Sequence, residues 1–89
     1  MLQTITTEFM RKFNELNDKC ADIQIKHVLY GSQKIKRCVL HPFVDGERIG
    51  LKINNEDIYI TTEELMGVWV GNNQYIIKSE LMELYINLL

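Results

Sequence analysis

Cysteine and proline are almost missing from this 89-residue chain, which holds two of the first and one of the second. Cys20 and Cys38 are too few for a disulfide framework and lack the paired spacing of a zinc ribbon. The core must therefore stabilise the fold unaided, and two free thiols point to a reducing, cytoplasmic setting. No apolar run approaches the roughly 18 residues that a membrane helix needs, and no basic segment leads into an apolar stretch near the N-terminus. The five glycines are scattered, so neither Gly-x-Gly-x-x-Gly nor a Walker pattern is present to cradle a phosphate. What remains is an ordinary globular composition, 46% hydrophobic and 25% charged. Its length allows one domain, residues 1–89, that buries roughly 60 to 65% of the surface of its unfolded chain.

A net charge of -2 hides an uneven distribution. Residues 26–52 carry six basic and two acidic side chains, whereas residues 53–89 carry one and six. Such a split suits a basic stripe for an anionic partner, an acidic face for a basic one, or head-to-tail self-association; neighbouring strands that neutralise one another would absorb it without function.

The spacing of Phe9, Phe13, Leu16 and Cys20, with Met10 beside them, predicts an amphipathic helix from about Thr7 to Ala21 within a helical region 1–22. Thr6 or Thr7 can cap it and Glu8 adds charge to the first turn. Glu8 with Lys12, Arg11 with Glu15, and Glu15 with Lys19 are i,i+4 pairs. The polar face is mixed in sign, which suits packing on a sheet better than lying on a membrane.

From Ile23 the period becomes two, and residues 23–89 read as antiparallel sheet. Ile23, Ile25, His27 and Leu29 line one face of a first strand, and Gly31-Ser32-Gln33 turns the chain. A second strand runs from Ile35 to His41, up to Pro42, which lacks a ladder donor. Asp45-Gly46 is a hairpin signal, and Ile49, Leu51 and Ile53 form the next strand. Beyond Asn54-Asn55 comes Ile58 to Ile60; Thr61 and Glu64 have capping-box spacing for a short helical turn ended by Gly67. Val68 to Val70, a reversal at Gly71-Asn72-Asn73, and Gln74 to Lys78 follow. The segment Ser79 to Leu89 fits helix or strand. An internal echo decides for a strand after a short turn around Glu-Leu-Met: Tyr59-Ile60, Glu64-Leu65-Met66 and Val68-Trp69-Val70 are answered sixteen residues on by Tyr75-Ile76, Glu80-Leu81-Met82 and Leu84-Tyr85-Ile86.

The expected fold is thus α+β, an N-terminal amphipathic helix packed on a strongly bent antiparallel sheet or small barrel of five to seven short strands. Gly31, Leu40, Phe43 and Asp45 can be laid on the first motif of the Sm-like barrels, with Arg37 and Cys38 where its second glycine is expected. In outline the arrangement is similar to SH3-like and Sm-like barrels.

No catalytic or metal constellation emerges, and no cofactor is called for. Cys38 and His41 have a zinc-like gap that Cys20 and His27 would complete, yet residues three apart on a strand point to opposite faces. A Cys-His nucleophile pair fails on the same ground, and Asn54-Asn55-Glu56-Asp57 lacks the glycine of a calcium loop.

Two binding readings stand. Ile58-Tyr59-Ile60, Val68-Trp69-Val70 and Leu84-Tyr85-Ile86 each place an aromatic between aliphatics, so Tyr59, Trp69 and Tyr85 leave the core as a strip that either the helix or a partner covers. That strip, or the acidic C-terminal region, suits a non-catalytic protein-binding module such as an adaptor, oligomeric subunit or small inhibitor, with edge-to-edge pairing of the last strand as a route to self-association. The alternative is RNA or single-stranded DNA bound through Lys26, Lys34, Lys36, Arg37, Arg48 and Lys52, with exposed rings as stacking platforms.

Overall fold

A computed structural model describes residues 7–45, 48–53, 56–61 and 65–89. One helix, α1 (Thr7–Asn14), precedes eight strands: β1 (Cys20–His27), β2 (Gly31–Val39), β3 (His41–Asp45), β4 (Arg48–Ile53), β5 (Glu56–Thr61), β6 (Leu65–Gly71), β7 (Gln74–Ser79) and β8 (Met82–Leu88). They form a five-stranded sheet in the order β2-β1-β8-β7-β6 and a three-stranded sheet in the order β3-β4-β5, antiparallel throughout. The two sheets are not closed into a barrel, and the domain is mainly β rather than α+β.

The helix is half the expected length. After Asn14 the chain tightens into i→i−3 turns, the Leu16 N–H donating to the Phe13 carbonyl and the Asn17 N–H to that of Asn14. Asp18 then takes a left-handed φ of 65°, a conformation that ends helices and that Asp tolerates better than most residues. The periodic stripe survives this break because Leu16 stays fully buried in the turn. Cys20 is instead the exposed first residue of β1, so the Glu15 and Lys19 spacing is not helical.

The chain leaves the large sheet at Leu40, between β2 and β3, where sequence suggests one continuous strand to His41. The Asp18 N–H donates to the Leu40 carbonyl (2.9 Å) and the Leu40 N–H to the Lys19 carbonyl (2.8 Å), which clamps the crossover to the segment after α1. Pro42, with no N–H to give, follows at once on the edge strand β3. β5 and β6 likewise fall in different sheets, so the first copy of the internal echo spans the two layers while the second, β7 with β8, is a hairpin in one. Leu65 to Gly67 belong to β6, not to a helical turn. Capping by Thr6, Thr7 or Glu8, the turn residues Gly46, Asn54 and Asn55, and the side chains of the Thr61 and Glu64 capping box lie outside the described residues.

Alternation places the core. Ala21, Ile23, Leu84, Ile86, Ile77 and Val68 point inward from the large sheet, and Ile49, Leu51, Ile53 and Ile60 from the small one. Phe9 and Phe13 of α1, stacked at 5.6 Å, enter this same core, and the Tyr75 hydroxyl donates to the Lys12 carbonyl (3.3 Å). Each buried Val, Leu, Ile or Phe side chain among them contributes about 1.5 to 3 kcal/mol. The radius of gyration, 11.9 Å, equals the roughly 12 Å of a compact single domain of this length. No helix among the described residues is long and apolar enough to cross a membrane.

Candidate binding face

Register fixes what the opposite side of the large sheet presents. Lys34 pairs with Gln24, Gln24 with Tyr85, Tyr85 with Ile76, and Ile76 with Trp69. Opposed residues share a face, so these five side chains form one row across all five strands. Trp69 and Tyr85 do leave by a common face, with Ile76 between them and about 10 Å between their strands. The helix lies with the inward core residues, and no described element covers this row.

Tyr59 stands apart from them. It sits on β5 in the small sheet, 44% exposed, with the Arg48 guanidinium 5.0 Å from its ring centre. The proposed strip of three aromatics is therefore two rings on one sheet and one on the other. Sequence spacing missed this because alternation reports which side of a strand a residue takes, not which sheet the strand joins.

Each of the two remaining rings is held in place. The Trp69 indole lies over Gly71, two residues along the same strand, where an added methyl group would overlap the ring. An edge glycine covered by an aromatic neighbour is a recurrent stabilising pair in sheets. Tyr85 carries the Lys26 ammonium 5.1 Å from its ring centre, and its hydroxyl donates to Glu83 Oε2 (2.5 Å). The second Glu83 oxygen meets Lys78 at 3.3 Å. The Tyr85 hydrogen bond, helped by Lys78 and Lys26, lowers the Glu83 carboxyl from its ordinary value, and the same bond raises the Tyr85 phenol.

Beside Tyr85 a shallow hollow is lined by Asp22, Gln24, Lys34, Lys36 and Asn87. Asp22 accepts the Arg37 N–H (2.9 Å) and meets Lys36 at 3.7 Å, which anchors a β-bulge where Arg37 takes a φ of 50°. Asn87 accepts from the Gln74 amide (2.8 Å). Among the described residues, the two carboxylates of this face, Asp22 and Glu83, are thus already engaged, whereas Lys34 has no carboxylate partner. Arg48 and Lys52, the other two cations of the basic block, lie on the small sheet, Arg48 paired with Asp45 at 2.6 Å. Lys26, Lys34 and Lys36 thus share the aromatic face, Arg37 sits in the bulge at its border, and Arg48 and Lys52 lie on the other sheet.

The cysteines and histidines do not converge. Cys38 is buried and donates its thiol to the Ala21 carbonyl (3.2 Å); burial, the largest cause, raises its pKa, which leaves it a poor nucleophile. His41 approaches Asp18 at 3.6 Å on the surface, and His27 closes the β1–β2 turn. Among the described residues no group of three or more His, Cys, Asp or Glu could hold a metal ion.

Two features escaped the sequence reading. Ile76, unremarkable in the chain, completes the apolar row because its neighbours on both sides are aromatic. Leu29, read as part of the first strand, lies with Val28 and Tyr30 in the exposed turn of a hairpin, and Gly31-Ser32-Gln33, read as the turn, opens β2, with Gly31 at a φ of 79°. The final strand, expected at an edge, is central in the large sheet, so it is not free for edge-to-edge pairing. Comparison with known proteins finds no matching family model, curated protein or solved structure.

Proposed function

We propose that this chain is a non-catalytic protein-binding module whose docking surface is the outer face of the large sheet. The observation that carries this reading is the half-buried outward row Trp69–Ile76–Tyr85, over which no described element packs and in which two preset rings flank an aliphatic residue. Rigid aromatics with a polar tip give large contact area at low entropic cost, which is why they dominate interface hot spots. Lys26, Lys34 and Lys36 beside the row favour a partner that brings carboxylates next to an apolar anchor.

The test is capture and identification of a partner followed by a measured affinity for the purified pair. Ile76→Glu, which leaves the inner core untouched, should weaken that affinity at least tenfold, with circular dichroism confirming the fold. A partner held equally well by Ile76→Glu would remove the reading.

A second reading, RNA or single-stranded DNA binding, rests on the same geometry: Lys26, Lys34, Lys36 and Arg37 border the half of the face that holds Tyr85. Oligonucleotide affinity across salt separates the two, because phosphate contacts give a steep salt slope. Negligible binding at low salt excludes this second role.

A further inference from the structure

The β1–β2 hairpin ends in three consecutive large apolar residues held out in solvent: Val28 is 72% exposed, Leu29 71% and Tyr30 84%. Leu81 of the neighbouring β7–β8 turn, itself partly exposed, accepts the Val28 N–H on its carbonyl (2.9 Å), so that the tip and the adjacent turn form one apolar knob. Hairpin turns are ordinarily made of Gly, Asn, Asp and Ser, and side chains this exposed add nothing to the core. The turn is nevertheless well specified. His27 Nδ1 accepts the N–H groups of both Leu29 (3.1 Å) and Tyr30 (3.3 Å), and the imidazole packs on the Tyr30 ring at 4.6 Å.

Charge along the hairpin is mainly basic. Between Cys20 and Val39 it carries Asp22 as its one carboxylate against Lys26, Lys34, Lys36 and Arg37. Asp22 is engaged by Lys36 at the base of the stem; of the acids on the adjoining segment, Glu83 is engaged by Lys78 and Tyr85, and Glu80 stands beside Leu81.

We propose that this hairpin is a membrane-contact element, with Val28, Leu29, Tyr30 and Leu81 entering the interfacial layer of a bilayer that carries anionic headgroups and the lysines of the stem meeting those headgroups. A convex knob suits a fluid layer that closes around it. Tyrosine, with an apolar ring and a polar tip, favours the headgroup level, and a basic stem is drawn to an anionic leaflet. Valine and leucine at the tip offer no π-face to a nucleic-acid base. One such finger gives weak, reversible attachment, far from the hold of a spanning helix.

The test uses the full chain with vesicles of phosphatidylcholine alone and of phosphatidylcholine mixed with phosphatidylserine, read by co-sedimentation. Binding is expected only with phosphatidylserine present and should fall as salt rises. Leu29→Ser combined with Tyr30→Ser should cost at least about tenfold, from lost apolar burial. Lys34→Glu should cost at least about fivefold. Both variants alter exposed side chains, and circular dichroism checks that they fold. Val44→Ser, which removes an exposed apolar side chain from β3 of the small sheet without changing charge, should bind vesicles as the parent does, which ties the loss to the tip rather than to exposed apolar surface in general. No binding to phosphatidylserine vesicles at low salt, equal binding to phosphatidylcholine alone, or undiminished binding by the double variant each overturns the proposal. Tip amides that gain protection from a protein partner and none from vesicles assign the finger to a protein pocket and overturn it as well.

Discussion

Gly71→Ala tests whether the candidate face is preset. The backbone at Gly71 has no left-handed requirement, so alanine fits the strand and, by restricting the unfolded chain, should stabilise by about 0.4 to 1 kcal/mol. Its methyl group, however, would occupy the space of the Trp69 six-membered ring. The far end of that side chain can swing away, and lifting it exposes on the order of 40 Å² of apolar surface, which costs about 1 kcal/mol. The two effects nearly cancel, and the net change in stability should stay within about 0.5 kcal/mol. The indole itself must move. Trp69 is the only tryptophan, so emission reports on this ring alone: the variant should emit at longer wavelength and be quenched more readily by iodide, at nearly unchanged denaturation midpoint. Partner affinity should fall with it, because the platform is no longer flat. An unaltered emission spectrum would mean that the ring does not rest on Gly71, and a loss above about 3 kcal/mol would mean that the backbone, not the ring, had to give way.

Arg37→Gly should stabilise the fold by up to about 1 kcal/mol, since glycine takes the φ of 50° without penalty while the Asp22 bond to the backbone N–H is kept; urea denaturation measures it, and a destabilised variant would show that the arginine side chain matters more than the bulge. Glu83 binds protons less readily folded than unfolded, so its contribution to stability is present above the unfolded carboxylate pKa and fades as pH falls through the lower folded value; Glu83→Gln should flatten that acid limb, and an identical pH profile would sever the link to Tyr85.

Local chemistry was legible, and long-range pairing was not. The buried positions Ile23, Ile49, Leu51, Ile53, Ile77, Leu84 and Ile86 follow from two-residue alternation, and the strand assignment of Ser79 to Leu89 followed from the echo with Tyr75 and Glu80-Leu81-Met82. The helix was overextended because Phe13, Leu16 and Cys20 keep helical spacing through a segment that Asn14, Asn17 and Asp18 turn out of the helix. The common outward direction of Trp69 and Tyr85 could be read from their neighbours, since Val68 and Val70, and Leu84 and Ile86, face the other way. Their adjacency could not, because it depends on β7 lying between β6 and β8 and bringing Ile76 into the row. Nor could the separation of Tyr59, which follows from the sheet that β5 joins.

The crossover at Leu40 also decides how much the basic block can do. Continuous in sequence from Lys26 to Lys52, it is cut in space where the chain passes from β2 to β3, which leaves Lys26, Lys34, Lys36 and Arg37 on one sheet and Arg48 and Lys52 on the other. Of the four on the large sheet, Lys36 is paired with Asp22 and Lys26 lies over Tyr85, so a nucleic-acid backbone laid across them meets Asp22 and Glu83 along with the lysines. Affinity from released counterions scales with the phosphates neutralised. With Lys36 held by Asp22 and Lys78 by Glu83, this face offers less of it than the six cations of the linear chain suggest. A protein segment with discrete carboxylates can match the same alternation of sign while seating an apolar side chain on Ile76.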